Sequence, residues 1–173
     1  ILEIGCGDGC NLMPYHLIGK SVSGCDFSLP FLEPGLKRGL NLIHGNIDSI
    51  KEDSGFDLIM LIHSFEHVIN LDATVQSVSN RLAAGGFVFV DDCNHDIDGM
   101  FARSFELQMS EIFGEQALQK IHNDHQLYSS FFSFEGPPRT SIELNGWGDD
   151  LVHNYLKAIE VNGRIGVLYS NKD

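Results

Sequence analysis

The sequence predicts an α/β fold: a doubly wound, mostly parallel sheet of seven strands that ends in an antiparallel hairpin. Three observations carry this. Short, near-continuous apolar runs alternate with helix-compatible stretches over residues 1–90, the pattern of parallel strands covered on both faces by crossovers. A glycine-rich turn, Gly5-Cys6-Gly7-Asp8-Gly9, directly follows the first apolar run. Near the C-terminus Asn162-Gly163 separates two β-compatible runs, and that dipeptide suits a type I′ turn, which needs φ > 0 at both central residues.

Each element has a local reason. Ile1 to Ile4 is an apolar run that stops at the glycine turn. Leu12 to Ile18 suits the start of a crossover helix, whose beginning Pro14 limits. Ser21 to Cys25 is a short strand stopping at Asp26. Phe31 to Gly39 forms the second crossover, which Pro34-Gly35 should keep short or irregular. Leu42 to His44 is the third strand, ending at Gly45-Asn46, and Phe56 to Ile62 is a strong fourth strand, apolar on both faces. Leu71 to Leu82 reads as a helix with Val75, Val78 and Leu82 on one face, closed by Gly85-Gly86, and Phe87 to Val90 is the fifth strand.

Beyond Asn94 the pattern weakens. Met100 to Ile121 is expected to be helical, with Phe101, Phe105, Met109, Ile112 and Phe113 on one stripe that faces a core or a lid. Tyr128 to Phe134 is aromatic-rich, and Gly136-Pro137-Pro138 marks a loop. Tyr155 to Val161 and Arg164 to Tyr169 form the hairpin; a helix from Asp150 to Ile159 is the competing reading.

Right-handed crossovers bring the C-terminal ends of parallel strands to one edge, where ligands bind in open α/β sheets. Gly5–Gly9, Asp26, Asn46, His63–His67 and Asp91–Asn94 each follow a strand and are the candidate functional points.

Lys plus Arg number 11 against 24 Asp plus Glu, a net charge of −13 in 173 residues. A surface this acidic repels phosphate backbones and anionic membranes, so the expected partner is a small molecule, with no nucleic acid and no membrane. The four cysteines, Cys6, Cys10, Cys25 and Cys93, make no C-x-x-C pair, and thiols without a disulfide framework suit a reducing, cytoplasmic setting. No apolar run approaches the roughly 20 residues of a membrane span, and no signal peptide is visible. The chain opens on Ile-Leu-Glu-Ile-Gly, already inside a strand, so upstream residues are expected.

The glycine turn is spaced G-x-G-x-G rather than G-x-G-x-x-G, with Glu3 just before its first glycine. A dinucleotide site wants the last glycine one residue later, beneath a pyrophosphate. A carboxylate beside the turn suits a ligand that carries positive charge. Asp26, nineteen residues after Gly7, can accept from both hydroxyls of a ribose, the alternative being a solvated strand-end carboxylate. Phe27 can cover one adenine face, and Asn46 can accept from the adenine amino group or serve as a turn residue.

LEIGCGDG from Leu2, SGCDFS from Ser23, LIHGNID from Leu42, FDLIMLIHSFEHV from Phe56 and LAAGGFVFV from Leu82 together resemble the class I S-adenosylmethionine-dependent methyltransferases. The likeness covers residues 1 to about 92 and is nearest to the small-molecule branch called type 11 or type 23. It implies a Rossmann-like fold with S-adenosylmethionine as cofactor. It also implies that Glu3 and the loop Gly5, Cys6, Gly7 and Gly9 hold the methionine portion. Asp26 would bind the ribose, Phe27 would flank adenine, Asn46 and Ile47 would meet its edge, and Ile62 and His63 would line the floor near the sulfonium. Glu66-His67 matches a pair frequent in this branch, starting the helix after the fourth strand. The sequence departs from the family where Asn46 replaces a commoner Asp, where His63 replaces Asn, Ser or Asp, and in lacking the N-terminal helices that cover the cofactor. Residues 1–173 are then one domain: 1–92 the cofactor-binding half, 93–140 a cap over the acceptor, 141–173 the C-terminal strands.

Methyl transfer from a sulfonium is an in-line displacement that needs alignment and exclusion of water, worth about 7–11 kcal/mol through effective molarity. A general base adds about 10²–10⁴-fold where the acceptor must lose a proton. His63, ending a buried strand at the functional edge, is the candidate base, with a pocket-shaping role as the alternative; His67 is a second, weaker candidate. Asp91-Asp92-Cys93-Asn94 reads as a solvated acidic lip rather than a metal site. Together with Asp96 and Asp98 it would turn the acceptor side away from anions. His122-Asn123-Asp124-His125 reads as a surface loop, so no metal is expected. The sequence thus reads as an enzyme that methylates a small molecule, on oxygen in preference to nitrogen or carbon. The alternatives are a nicotinamide-dependent oxidoreductase, which the glycine spacing disfavours, and a cofactor-binding interaction module without catalysis.

Overall fold

The computed structural model describes residues 1–51, 55–92, 99–130, 133–137 and 155–170. The chain divides into two compact units, Ile1–Val90 and Asp91–Asp173.

In the first unit, β1 (Leu2–Ile4), β2 (Ser23–Asp26), β3 (Asn41–His44), β4 (Phe56–Ile62) and β5 (Leu82–Asp91) lie in the order β3-β2-β1-β4-β5. β1 pairs in parallel with β2, Leu2 opposite Ser23, and with β4, Leu2 opposite Ile59; β2 pairs in parallel with β3. The chain winds one way from β1 to β3 and the other way through β4 and β5. β1 is therefore the switch point, where the crevice of a doubly wound sheet opens. All three of its residues are buried. Leu12, Val22, Leu32, Leu40, Leu42 and Met60 pack into a core cluster with Cys6.

Helix α1 (Met13–Leu17) carries Pro14 in its first turn, where a missing N–H costs nothing. Helix α2 (Leu29–Lys37) is short, at nine residues, as Pro34-Gly35 suggests, yet it keeps both residues inside it. Packing overrides propensity here. A Cβ on Gly35 would stand 2.3 Å from the Asp8 carbonyl oxygen and 2.4 Å from Leu42 Cδ1, so the bare glycine lets α2 press against the glycine turn.

Helix α3 (Leu71–Arg81) starts with Asn70, whose Oδ1 accepts from the Ala73 N–H at 3.0 Å. Glu66-His67 does not start this helix, as expected from sequence, but lies in a separate 3₁₀ turn, Phe65–His67. Gly85-Gly86 does not close α3 either. The helix ends at Arg81 and β5 runs through both glycines. A Cβ on Gly86 would come within 2.8 Å of the Phe56 carbonyl oxygen, so the glycine allows a close approach to β4.

The second unit contains α4 (Met100–Phe113), β6 (Gln119–Lys120), β7 (Lys157–Val161) and β8 (Arg164–Ser170), the strands ordered β8-β7-β6 and antiparallel. The hairpin turns as predicted, with Asn162 at φ 54° and Gly163 at φ 76°. Strand β7 overturns the C-terminal part of the competing helix Asp150–Ile159; residues 150–154 are outside the described residues. Helix α4 is shorter than the expected 100–121 because Gly114, at φ 98°, stops it. Its inner face is Ala102, Phe105 and Met109, while Ile112 and Phe113 are 48% and 44% exposed. With the two-residue β6, the strands among the described residues number eight rather than seven. Among the described residues no helix is long and apolar enough to cross a membrane.

Candidate cofactor site

The glycine turn is bonded to β2, and the end of β1 that leads into it is bonded to Ser64. The Gly5 and Cys6 N–H groups donate to the Cys25 carbonyl at 2.8 and 3.1 Å, and the Gly7 N–H donates to Asp26 Oδ2 at 2.9 Å. Ser64, just past β4, donates from Oγ to the Ile4 carbonyl at 2.7 Å. Gly5 sits at φ 72°, and an added Cβ would meet Ser64 Cβ at 2.4 Å; neither the backbone nor the space admits a side chain. Gly7 differs. It has φ 51°, yet nothing lies within 4 Å of where its Cβ would point, so the turn presents bare backbone to open space. Gly9 is buried against Leu40.

Glu3 is 1% exposed. Its Oε1 accepts from Asn11 Nδ2 at 2.7 Å, and its Oε2 is buried with no hydrogen-bond partner. Burial pushes the carboxyl up to about 7; the Asn11 hydrogen bond works against this, and the charges of Asp8 and Asp26 add to it. One oxygen is thus fixed and the other lacks a donor, an arrangement that fits a ligand bearing an ammonium group.

Asp26 is held by two backbone donors, Gly7 N–H on Oδ2 and Ser28 N–H on Oδ1 at 2.7 Å. Each oxygen keeps a lone pair, so the carboxylate is a fixed acceptor rather than a freely solvated strand end. Phe27 is 77% exposed, and its carbonyl lies 2.9 Å from His44 Nε2. Asn46 takes the turn role: its Oδ1 accepts from the Asp48 N–H at 3.1 Å and caps the 3₁₀ turn Ile47–Ser49. The Ile47 side chain is buried, which leaves its backbone as the group available to a ligand.

Ile62 is half-buried at the end of β4, and His63 follows it, exposed, in the left-handed region at φ 48°. His67 is exposed, with Nε2 3.8 Å from Glu66 Oε1. The Glu66 carboxylate is buried without a hydrogen-bond partner. Burial raises the Cys6 thiol far above its ordinary range and pushes Cys25 up to about 12, so both stay protonated and pack as small apolar groups. Cys6, Cys10 and Cys25 are free thiols; Cys93 is outside the described residues.

Four residues to which the sequence assigns no individual role support the site: Asn11, Arg38, His44 and Ser64, the last inside the candidate segment His63–His67. Arg38, at the end of α2, donates from Nη2 to both the carbonyl and the carboxylate of Asp8, each at 2.8 Å. Desolvation, the largest single effect, pushes the Asp8 carboxyl up, but hydrogen bonds from Arg38 and Cys10 with the Arg38 charge together outweigh it and hold it below its ordinary range.

In the second unit, Asp92 corrects the reading of a solvated acidic lip. It is fully buried, its N–H donates to the Ser170 carbonyl at 2.9 Å, and its Oδ2 accepts from the Tyr169 hydroxyl at 3.2 Å. Asn94, Asp96 and Asp98 lie outside the described residues. His122 Nδ1 pairs with Asp124 at 2.6 Å, whereas His125 Nδ1 accepts from the Leu127 N–H at 3.1 Å. The two histidines serve separate local contacts. Among the described residues no group of three or more His, Cys, Asp or Glu side chains is placed to hold a metal.

The family model of a methyltransferase domain matches residues 2–88, half of the chain. The chain belongs to the methyltransferase-domain family. The resemblance to class I S-adenosylmethionine-dependent methyltransferases therefore stands, and nothing supports the nicotinamide-dependent alternative. A second model, of a domain of unknown function (DUF4159), matches residues 60–173. The ubiquinone biosynthesis O-methyltransferase of Chelativorans sp. (strain BNC1) is 30% identical over 107 residues, covering 58% of this chain and 42% of that protein. The protein of the same name from Colwellia psychrerythraea is 25% identical over 171 residues, covering 94% of this chain and 63% of that protein. The chain thus spans about half the length of the curated relatives it matches. A solved plantazolicin methyltransferase, in complex with a pentazolic desmethylPZN analog and SAH, shares the fold at 18% identity and a TM-score of 0.55. The likeness covers 69% of this chain and 58% of that one.

Proposed function

We propose that the chain is the catalytic domain of an S-adenosylmethionine-dependent methyltransferase acting on a small molecule, with oxygen as the favoured acceptor atom. The observation that carries this is Glu3 Oε2, a buried carboxylate oxygen without a donor, next to a glycine turn that is open at Gly7. The curated relatives, named as O-methyltransferases of ubiquinone biosynthesis, support an oxygen acceptor.

In this reading Glu3 and the backbone of Gly5, Cys6, Gly7 and Gly9 hold the methionine portion. Asp26 accepts from the ribose hydroxyls, Phe27 covers an adenine face, and the Asn46–Ile47 segment meets the adenine edge. When bound, S-adenosylmethionine supplies an electrophilic methyl group on a positively charged sulfur. Ile62 excludes water beside that group, and His63 takes the proton from an acceptor hydroxyl at a ring nitrogen. His67, exposed and near Glu66, is the second candidate for that proton. The free thiols of Cys6, Cys10 and Cys25 suit a cytoplasmic setting.

Calorimetric titration with S-adenosylhomocysteine and with NAD tests the assignment. Binding of S-adenosylhomocysteine alone is expected; binding of NAD alone overturns it. Transfer of tritiated methyl from S-adenosylmethionine to quinol-type and catechol-type acceptors then tests the reaction. Tight cofactor binding without transfer to any acceptor would mark a non-catalytic module instead.

A further inference from the structure

Glu3 poses a physical problem. A carboxylate at 1% exposure has lost its hydration, and desolvation favours the neutral acid. The titratable groups around it do not help: Cys6 and Asp8 come from the glycine turn, Cys10 directly follows it, and Asp26 comes from the end of β2. Arg38 is engaged with Asp8. The donor that Glu3 does have is Asn11 Nδ2, at 2.7 Å on Oε1.

We propose that Asn11 is a positioning residue for the cofactor: it holds Glu3 by Oε1, favours the ionised carboxylate and leaves Oε2 for the ligand ammonium, so that cofactor affinity depends on pH. This rests on the methyltransferase reading above, in which Glu3 meets the ammonium. A protonated Glu3 offers no charge to that group, so binding at low pH must expel a proton. With the Glu3 carboxyl pushed up to about 7, affinity falls as pH drops through that value, approaching tenfold per pH unit below it. Without the Asn11 donor the carboxyl titrates higher still, and the fall begins at higher pH.

Asn11 is exposed, so Asn11→Leu keeps the volume and leaves the core intact. Affinity for S-adenosylhomocysteine is measured by calorimetry at steps from pH 6 to 8 in the full chain, for wild type, Asn11→Leu and Glu3→Gln. The wild type is expected to gain affinity with rising pH. Asn11→Leu should bind about tenfold more weakly near pH 7, as expected for loss of one hydrogen bond to a charged group, and should recover as pH rises. Glu3→Gln should bind weakly with a flat profile. In the unliganded protein, carbon-13 NMR of the Glu3 carboxyl should show a higher midpoint in Asn11→Leu than in wild type. An equal loss at every pH, a flat wild-type profile or an unmoved Glu3 midpoint each overturns the proposal while leaving the methyltransferase reading standing. Failure of the wild type to bind S-adenosylhomocysteine at any pH overturns that reading and this inference with it.

Discussion

Ser64 Oγ donates to the Ile4 carbonyl across 60 positions of sequence, at 2.7 Å, and thereby locks the end of β4 to the end of β1 directly beneath Gly5. Replacing Ser64 by Ala removes a partly buried hydrogen bond and should cost about 1 kcal/mol in urea unfolding. Gly5→Ala should cost more, about 1–3 kcal/mol, because it adds left-handed strain to a contact that cannot be made. It should also abolish detectable binding of S-adenosylhomocysteine.

Arg38 and Asp8 are both partly exposed, so their ion pair contributes little to global stability, about 0–1 kcal/mol. Its effect is local. Arg38→Ala should leave the melting temperature nearly unchanged but speed hydrogen exchange at the amides of Gly7 to Asn11. Arg38→Lys should not restore protection, since a point charge cannot match the planar fork that serves carbonyl and carboxylate together.

The Glu3 carboxyl titrates above its ordinary value in the folded state, so the native protein holds a proton that the unfolded chain has released between about pH 4.5 and 7. Stability therefore falls as pH rises through that window. Glu3→Gln should be near neutral for stability at pH 4 and stabilising at pH 8, by about 3 kcal/mol, as read by chemical denaturation at both values. The same substitution should weaken cofactor binding.

If His63 takes the acceptor proton, His63→Ala should lower kcat by about 10²–10⁴-fold and remove the acidic limb of the pH–rate profile. An unchanged rate from pH 6 to 9 would restrict His63 to shaping the site. His67→Ala provides the comparison and should have the smaller effect.

Tyr169 and Asp92 form a buried pair in the second unit, with the Phe105 ring tilted by 31° against the Tyr169 ring at 4.6 Å between centroids. Burial, and then the Asp92 charge, raise the phenol far above its ordinary range, so it remains a hydrogen-bond donor at any working pH. Tyr169→Phe should destabilise by about 1–3 kcal/mol in thermal or urea unfolding, because it removes one partner of a buried carboxylate.

The elements that could be read from sequence are those whose cause is local. Phe56–Ile62 matches β4 residue for residue because six of its seven positions are apolar and leave no competing pattern. The hairpin was legible because two positive φ values demand Asn-Gly. Gly85-Gly86 reads locally as a helix stop and is not one for the opposite reason: Gly86 answers to a backbone atom on another element, Phe56 O, much as Gly35 answers to Asp8 O. Gly114, which does end α4, was a local signal that the apolar stripe obscured. At the site, the glycine turn, Glu3 and Asp26 stand out in the sequence. Asn11, Arg38 and Ser64 do not, because their partners lie eight, thirty and sixty positions away. Asn46 was visible, but its capping bond to Asp48 was one of two equal readings.

The cysteines near the turn have a practical consequence. Cys6 and Cys25 are buried and strongly protonated, whereas Cys10 is exposed, with its Sγ 3.8 Å from Asn11 Oδ1. Alkylating reagents should therefore mark Cys10 before the other two, and slowly, since desolvation, with Asp8 nearby, raises its thiol. A modified Cys10 adjoins the residue that holds Glu3. The extent of alkylation, read by mass spectrometry with and without ligand, becomes a chemical footprint of whether the turn is occupied.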